Sequence, residues 1–229
     1  MKYSFSIFVF VCLSAFIGIS PVVAHAETPP QEPQTLLGMA GVQVESARLS
    51  DSVLVIIDAQ REYVDGKLRL DGIEDSLKEA FRILERAREA GTPVIHIMHK
   101  GKAGGALFNP DGPYFEIATP VAPKPKEAIV TKMLPNAFAG TNLDEILSRT
   151  GRKNLIVIGY MTHMCVSATV RAALDRGYHT TVVARATATR DLPAAEGGKI
   201  PAQTIQRASL AALADRFAVI VQSAQDIIE

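Results

Sequence analysis

With 229 residues and 24 acidic against 24 basic side chains, the chain carries no net charge at neutral pH. It has no basic stripe and no long run of one sign, which excludes electrostatic attraction to nucleic acid or to an anionic membrane surface. Trp is absent and aromatic residues make up 6% of the chain, so a base-stacking or carbohydrate-binding platform is not indicated.

The N-terminus reads as an export signal. Lys2 supplies the positive charge, Phe5 to Ile19 the apolar core, and Ala24-His25-Ala26 a small-x-small cleavage motif before Glu27. The apolar core is short for a membrane span. Cys12 lies inside it behind Phe10 and Val11, not behind the small residues a lipid anchor needs. A signal over 1–26 predicts a periplasmic or secreted chain with Cys165 as its one remaining cysteine, so no internal disulfide forms. Residues 27–50, rich in Pro and Gln at their start, read as a flexible lead-in with little to pack. Residues 51–229 are long enough for one domain with a sizeable core.

The domain opens with Ser52-Val-Leu-Val-Ile-Ile-Asp58, a continuous apolar run typical of a parallel strand buried on both faces. A helix follows, with Ile73, Leu77, Ala80, Phe81, Leu84 and Ala87 on one face and Gly91 as its stop. Thr92–Met98 is a second strand. Nine Gly and Pro residues then break the pattern over 99–127, a loop carrying Leu107, Phe108, Tyr114 and Phe115 that is expected to form a lid or a subunit contact. Ala128–Thr131 is a third strand ending at Lys132. A short helix after Thr141 or Asn142 ends at Gly151. Asn154–Ile158 is a fourth strand, and a helix beginning at Cys165 ends at Gly177. His179–Val183 is a fifth strand. A helix after Pro201, with Ile205, Ala208, Ala212 and Leu213 on one face, precedes a sixth strand over Phe217–Val221.

This alternation predicts an α/β fold: a three-layer, doubly wound, Rossmann-like sheet of about six parallel strands flanked by helices. Ligands of such sheets bind outside the carboxyl ends of the strands. Asp58, Lys132 and Cys165 each fall at or just past that end of a different strand, so topology gathers them on one rim. Cys165, in the first turn of a helix, is expected to favour the thiolate. Acid, amine and thiol together suit acyl transfer to water: Cys165 as nucleophile, Asp58 as base and acid, Lys132 orienting the carboxylate. Tyr63, Phe108, Phe138 and Met161 are candidate pocket walls from their places beside these residues. His163 is a candidate second base or substrate hydrogen-bond partner.

Ile57-Asp58-Ala-Gln60, Lys132 with Asn136-Ala-Phe138-x-Gly140-Thr141, and Gly159-Tyr-Met-Thr162-x-x-Cys165-Val resemble the three signature blocks of the isochorismatase-like cysteine hydrolases. That superfamily includes nicotinamidases, N-carbamoylsarcosine and ureidoacrylate amidohydrolases, and isochorismatases. The resemblance implies an Asp58–Lys132–Cys165 triad, a cis peptide before Met161, and the N–H groups of Met161 and Cys165 as an oxyanion hole. It also implies a small-molecule substrate with an amide, ureido or lactam-type C–N bond, no cofactor, and association into a homo-oligomer. Nicotinamidases carry an Asp-x-His metal site after the second strand. Here the segment reads His96-Ile-Met-His99, with no acidic partner in view and with the two histidines on opposite strand faces, so no metal is expected. Other readings of the same residues are an isochorismatase-type ether hydrolase, a redox-active single thiol, and a non-catalytic binding protein.

Overall fold

The structure, a computed structural model, describes residues 32–229. The export signal expected over 1–26 lies outside them. Residues Gln34–Glu229 form one unit. In chain order its elements are α1 (Leu36–Met39), β1 (Ser52–Ile57), α2 (Ile73–Glu89), β2 (Val94–His99), β3 (Ala128–Lys132), α3 (Leu143–Thr150), β4 (Asn154–Tyr160), α4 (Ser167–Asp175), β5 (His179–Ala188), a small hairpin of β6 (Leu192–Pro193) and β7 (Lys199–Ile200), α5 (Ala202–Ala214) and β8 (Val219–Val221).

Six strands pair in the order β3-β2-β1-β4-β5-β8, each pair parallel. The order reverses between β1 and β4, and the crevice outside their carboxyl ends is where doubly wound sheets place ligands. All six residues of β1 are buried, since both faces are covered. Leu54 and Ile56 pack with Ile73, Ala80 and Leu84 of α2 on one face. Val53, Val55 and Ile57 pack with Leu147 of α3 and Val170 of α4 on the other.

Gly159 lets the two central strands approach. It pairs with Ile57 at a φ of +108°, and a Cβ there would lie 2.0 Å from the Ile57 carbonyl oxygen. Any side chain would part β1 and β4 just where each hands on to the residues at the crevice.

Several sequence expectations need correcting. Phe81 is 43% exposed, and Ile83 is buried in its place. Both lie about 80° from the centre of the α2 stripe, on opposite edges, and the helix rolls toward Ile83. On α5 only Ala202 and Leu213 are buried, with Ala208 and Ala212 exposed, because the helix covers the short edge strand β8 rather than the sheet centre. The end of the lead-in packs. Leu49 is fully buried, its N–H donates to the Ile228 carbonyl at 2.9 Å, and the Ala47 N–H donates to Thr181 Oγ1 at 2.8 Å. Ala47 and Leu49, with these backbone contacts, dock the end of a segment whose composition offered little to pack.

The 99–127 loop is tied down at several points. The buried Gln60 side chain donates to the carbonyls of His99 and Phe115, and its Oε1 accepts from the His99 N–H. Buried Glu62 accepts from the Phe108 N–H at 3.0 Å. Glu127 closes the loop by pairing with Arg88 of α2 through both carboxylate oxygens, at 2.7 and 2.9 Å, and with His96 Nε2 at 2.9 Å. His96 therefore has an acidic partner after all, supplied from the end of the loop rather than from its own strand.

Candidate active site

β1 ends one residue before Asp58, whose backbone turns into the left-handed region (φ +50°), a conformation Asp tolerates better than most residues. Its N–H donates to the Ile97 carbonyl of β2 at 2.9 Å, and its side chain is fully buried. Lys132, the last residue of β3, is 1% exposed and points across the end of β2. Its Nζ lies 2.7 Å from Asp58 Oδ2, 3.3 Å from Cys165 Sγ and 3.1 Å from His99 Nδ1. Carboxylate, ammonium and sulfur thus meet at the crevice.

Cys165 sits in a wide turn of π type over Thr162–Val166, ahead of α4, and is 3% exposed. Burial is the main force on its thiol, pushing the pKa up to about 12, with the Asp58 charge adding to the rise and Lys132 opposing it. The expectation of a thiolate at the start of a helix is therefore corrected: dehydration outweighs the helix end, and the resting sulfur holds its proton. Burial also raises Asp58 to about 6, with Lys132 the main restraint. Between those values the stable pair is a carboxylate beside a thiol.

The peptide between Tyr160 and Met161 is cis. The turn is tied to the end of β5: Thr162 Oγ1 donates to the Ala188 carbonyl at 3.0 Å, and His163 Nδ1 lies 2.6 Å from Thr189 Oγ1. His163 is half-buried, and burial together with Arg190 keeps its pKa below the ordinary value, so the ring is neutral near pH 7. A groove of about 760 Å³ runs along the same rim between α2, the end of β5 and α5, and reaches Thr189 without including Asp58, Lys132 or Cys165.

Tyr63 and Phe108 stand together on the α2 side. Their rings meet edge to face at 5.0 Å, and Phe108 makes a second edge-to-face contact with the His99 ring at 5.0 Å. Burial, and after it the nearby Asp58 charge, push the Tyr63 hydroxyl pKa well up, which keeps it a neutral hydrogen-bond donor. Phe138 is elsewhere. Its ring stacks on Tyr178 at 6.1 Å and lies under the Arg176 guanidinium at 4.7 Å, eleven residues along from Cys165 at the far end of α4. Expecting it beside the sulfur ignored a better partner for its ring, and it is not a wall of this site. His99 is the member that sequence reasoning passed over. The signal for it is positional: it ends β2 as Lys132 ends β3, and the two residues pair in register.

Among the described residues no group of three or more His, Cys, Asp or Glu side chains is arranged to hold a metal ion. The ring nitrogens nearest such a role are engaged by Glu127 and Lys132.

Comparison with known proteins follows the same lines. Residues 52–225 match the isochorismatase domain family. The chain is 42% identical over 185 residues to a secreted isochorismatase effector of Verticillium dahliae, covering 81% of this chain and 95% of that protein. It is 36% identical to a streptothricin hydrolase of Streptomyces noursei, covering 75% and 68%. The crystal structure of an isochorismatase from Pseudomonas putida superposes with a TM-score of 0.82 at 41% identity, covering 86% of this chain and all of that one. With the family model spanning three quarters of its length and a 41% identical isochorismatase superposing over the whole of that chain, the chain belongs to the isochorismatase family of hydrolases.

Proposed function

We propose that the protein is a cysteine-dependent amidohydrolase that cleaves a small amide, ureido or lactam-type C–N bond. The observation that carries this reading is the Lys132 ammonium in contact with both Asp58 Oδ2 and Cys165 Sγ, at 2.7 and 3.3 Å, with all three side chains buried. As Sγ attacks the carbonyl carbon, its proton passes to Asp58 and a C–S bond forms. The N–H groups of Met161 and Cys165 receive the oxyanion. The C–N bond then breaks, and Asp58 returns the proton to the leaving nitrogen. In the second half Asp58 takes a proton from water, the hydroxide attacks the thioester, and the departing sulfur recovers a proton from Asp58. Lys132 holds the carboxylate throughout and offsets negative charge on whichever partner bears it. Tyr63 and Phe108 line the approach, and His163 offers a hydrogen-bond partner at its edge. Because Cys165 is 3% exposed, the substrate is small and its carbonyl slender.

The C–N reading is supported by relatives named for such chemistry: the streptothricin hydrolase, and a ureidoacrylate amidohydrolase of Pseudomonas savastanoi at 25% identity. Relatives named isochorismatase favour a second reading, hydrolysis of a vinyl ether by Asp58 without the thiol. A redox thiol is disfavoured, because that role needs an exposed sulfur of low pKa and this one is buried with its pKa raised. Export, read from residues 1–26, is supported by the relative named as secreted. We also propose self-association, supported by Ile129, Met133 and Leu134, which lie on or just past the edge strand β3 and are 50%, 73% and 56% exposed.

Cys165→Ala decides between the two chemistries. The wild type is expected to release ammonia or amine from members of a small-amide panel, and the variant to release none above background. Full amide turnover without the sulfur would end the acyl-enzyme reading. Vinyl-ether cleavage that survives Cys165→Ala but not Asp58→Asn would establish the second one.

A further inference from the structure

Lys132 Nζ forms an ion pair with Asp58 Oδ2 at 2.7 Å and makes its two hydrogen-bond contacts with His99 Nδ1 at 3.1 Å and Cys165 Sγ at 3.3 Å, so three acceptors surround its three hydrogens. An ammonium this deeply buried has no water to complete its shell, so each N–H depends on the protein. On the proposed hydrolytic cycle two of those acceptors change. Asp58 gains a proton and Cys165 loses one, then both reverse. His99 alone keeps its character through every step.

The ring is built to do so. Nδ1 faces Lys132, so it accepts, and the ring proton sits on Nε2. Burial, with the Lys132 charge beside it, keeps the pKa down to about 4, and the imidazole stays neutral across the working range. Gln60 grips the His99 backbone from both sides, at 3.0 Å to the carbonyl and 2.8 Å from the N–H. Phe108 packs edge to face on the ring at 5.0 Å. His99 and Lys132 are register partners at the ends of adjacent parallel strands, so the backbone ladder sets their separation.

We propose that His99 is a positioning residue, a fixed neutral acceptor that anchors the Lys132 ammonium while Asp58 and Cys165 exchange a proton. Without it the third N–H has Asp58 as its nearest remaining acceptor. The ion pair with Asp58 tightens, the carboxylate becomes a weaker base, and the contact with Sγ loosens. Phe108 and Gln60 act on Lys132 through this ring, which ties the order of the 99–127 loop to the geometry of the triad.

The inference rests on the hydrolase reading for its kinetic test, and a second measurement frees it from that dependence. His99→Phe keeps a ring against Phe108 but has no acceptor, while His99→Asn restores an acceptor of similar reach. His99→Phe is expected to lower kcat by about ten- to a hundredfold with KM changed by less than about threefold. Its acid limb should move to lower pH, because the tightened ion pair holds Asp58 ionised. His99→Asn should return kcat to within about fivefold of wild type and the limb to its original position. His99→Phe with wild-type kcat and limb overturns the proposal, as does His99→Asn equally impaired while melting like the wild type. If Phe is not tolerated at this position, His99→Leu takes its place with the same expectations. Independently of any substrate, alkylation of Cys165 by iodoacetamide, located by peptide mass mapping, should slow by about threefold or more in His99→Phe and not in His99→Asn. An unchanged alkylation rate in His99→Phe also overturns the proposal. If the wild type hydrolyses no amide, the hydrolase reading falls and alkylation alone decides the role of His99.

Discussion

Asp58 is shut away from bulk solvent. Its carboxylate is fully buried and takes its charge compensation from one ammonium, and dehydration wins over that pairing by enough to lift its pKa to about 6. The consequence for pH runs two ways. As base, Asp58 must be ionised, so kcat should rise with pH through about 6 and level off above it. For folding the sign is opposite. A group whose folded-state pKa lies above its ordinary 3.8 contributes stability that is complete below that value and lost as pH rises through about 6. On the hydrolase reading the site is thus expected to be most active where this residue favours the fold least, as happens where function sets the local environment. Asp58→Asn tests the first half. Its kcat should fall by about a hundredfold or more and its pH profile should lose the acid limb. A variant that keeps a limb near pH 6 would assign that ionisation to a group other than Asp58.

Elements, rather than single residues, explain why the 99–127 segment holds a shape despite nine Gly and Pro residues. Glu127 fastens its end by meeting Arg88 of α2 and His96 of β2 together. Burial opposes its charge, but the Arg88 hydrogen bonds prevail, with further help from the Lys124 N–H and His96, and hold its pKa down to about 2. Glu127→Gln keeps the shape and removes the charge, and should cost about 2 kcal/mol of unfolding free energy near neutral pH by urea titration. The stability a depressed carboxylate supplies is present above its ordinary 4.5 and lost as pH falls toward about 2. The penalty should therefore shrink across that window, and a penalty independent of pH would assign the loss to packing. None of this network was legible in the sequence, because Arg88, His96 and Glu127 meet only once helix, strand and loop are assembled. What was legible is what periodicity and punctuation encode. Six strands with four intervening helices predict the parallel sheet, and helix stops at Gly91, Gly151 and Gly177 each precede a strand of that sheet. The carboxyl ends of β1, β3 and β4 bring Asp58, Lys132 and Cys165 to one rim. The rest depended on quantities a single sequence does not carry. Burial decides the protonation of Cys165, register decides that His99 faces Lys132, and a competing aromatic partner draws Phe138 away to Tyr178.

At the scale of the whole molecule, the sheet ends abruptly at β3. Among the described residues β3 is an edge strand with an unpaired side, and edge strands invite pairing with another chain unless charge, proline or cover prevents it. Proteins that stay monomeric protect such edges, yet here Ile129 faces outward and Met133 and Leu134 continue the apolar surface beyond Lys132, each at least half exposed. No acidic or basic side chain interrupts the Met133-Leu134-Pro135 run. A patch of this kind, one residue from the buried Lys132 ammonium, is a costly surface to leave in water and a natural one to cover with a second copy. The chain is therefore expected to sediment as a multiple of its own mass. Replacing both residues (Met133→Glu with Leu134→Glu) should yield a monomer whose melting temperature falls by only a few degrees, because neither side chain belongs to the buried core. If the double variant still sediments with the wild type, the contact lies on another face, and the exposed side of α5 around Ala208 and Ala212 would be the next to charge. Should turnover fall with dissociation while Cys165 still alkylates at its original rate, the neighbouring copy shapes the substrate's approach and leaves the triad's proton chemistry intact.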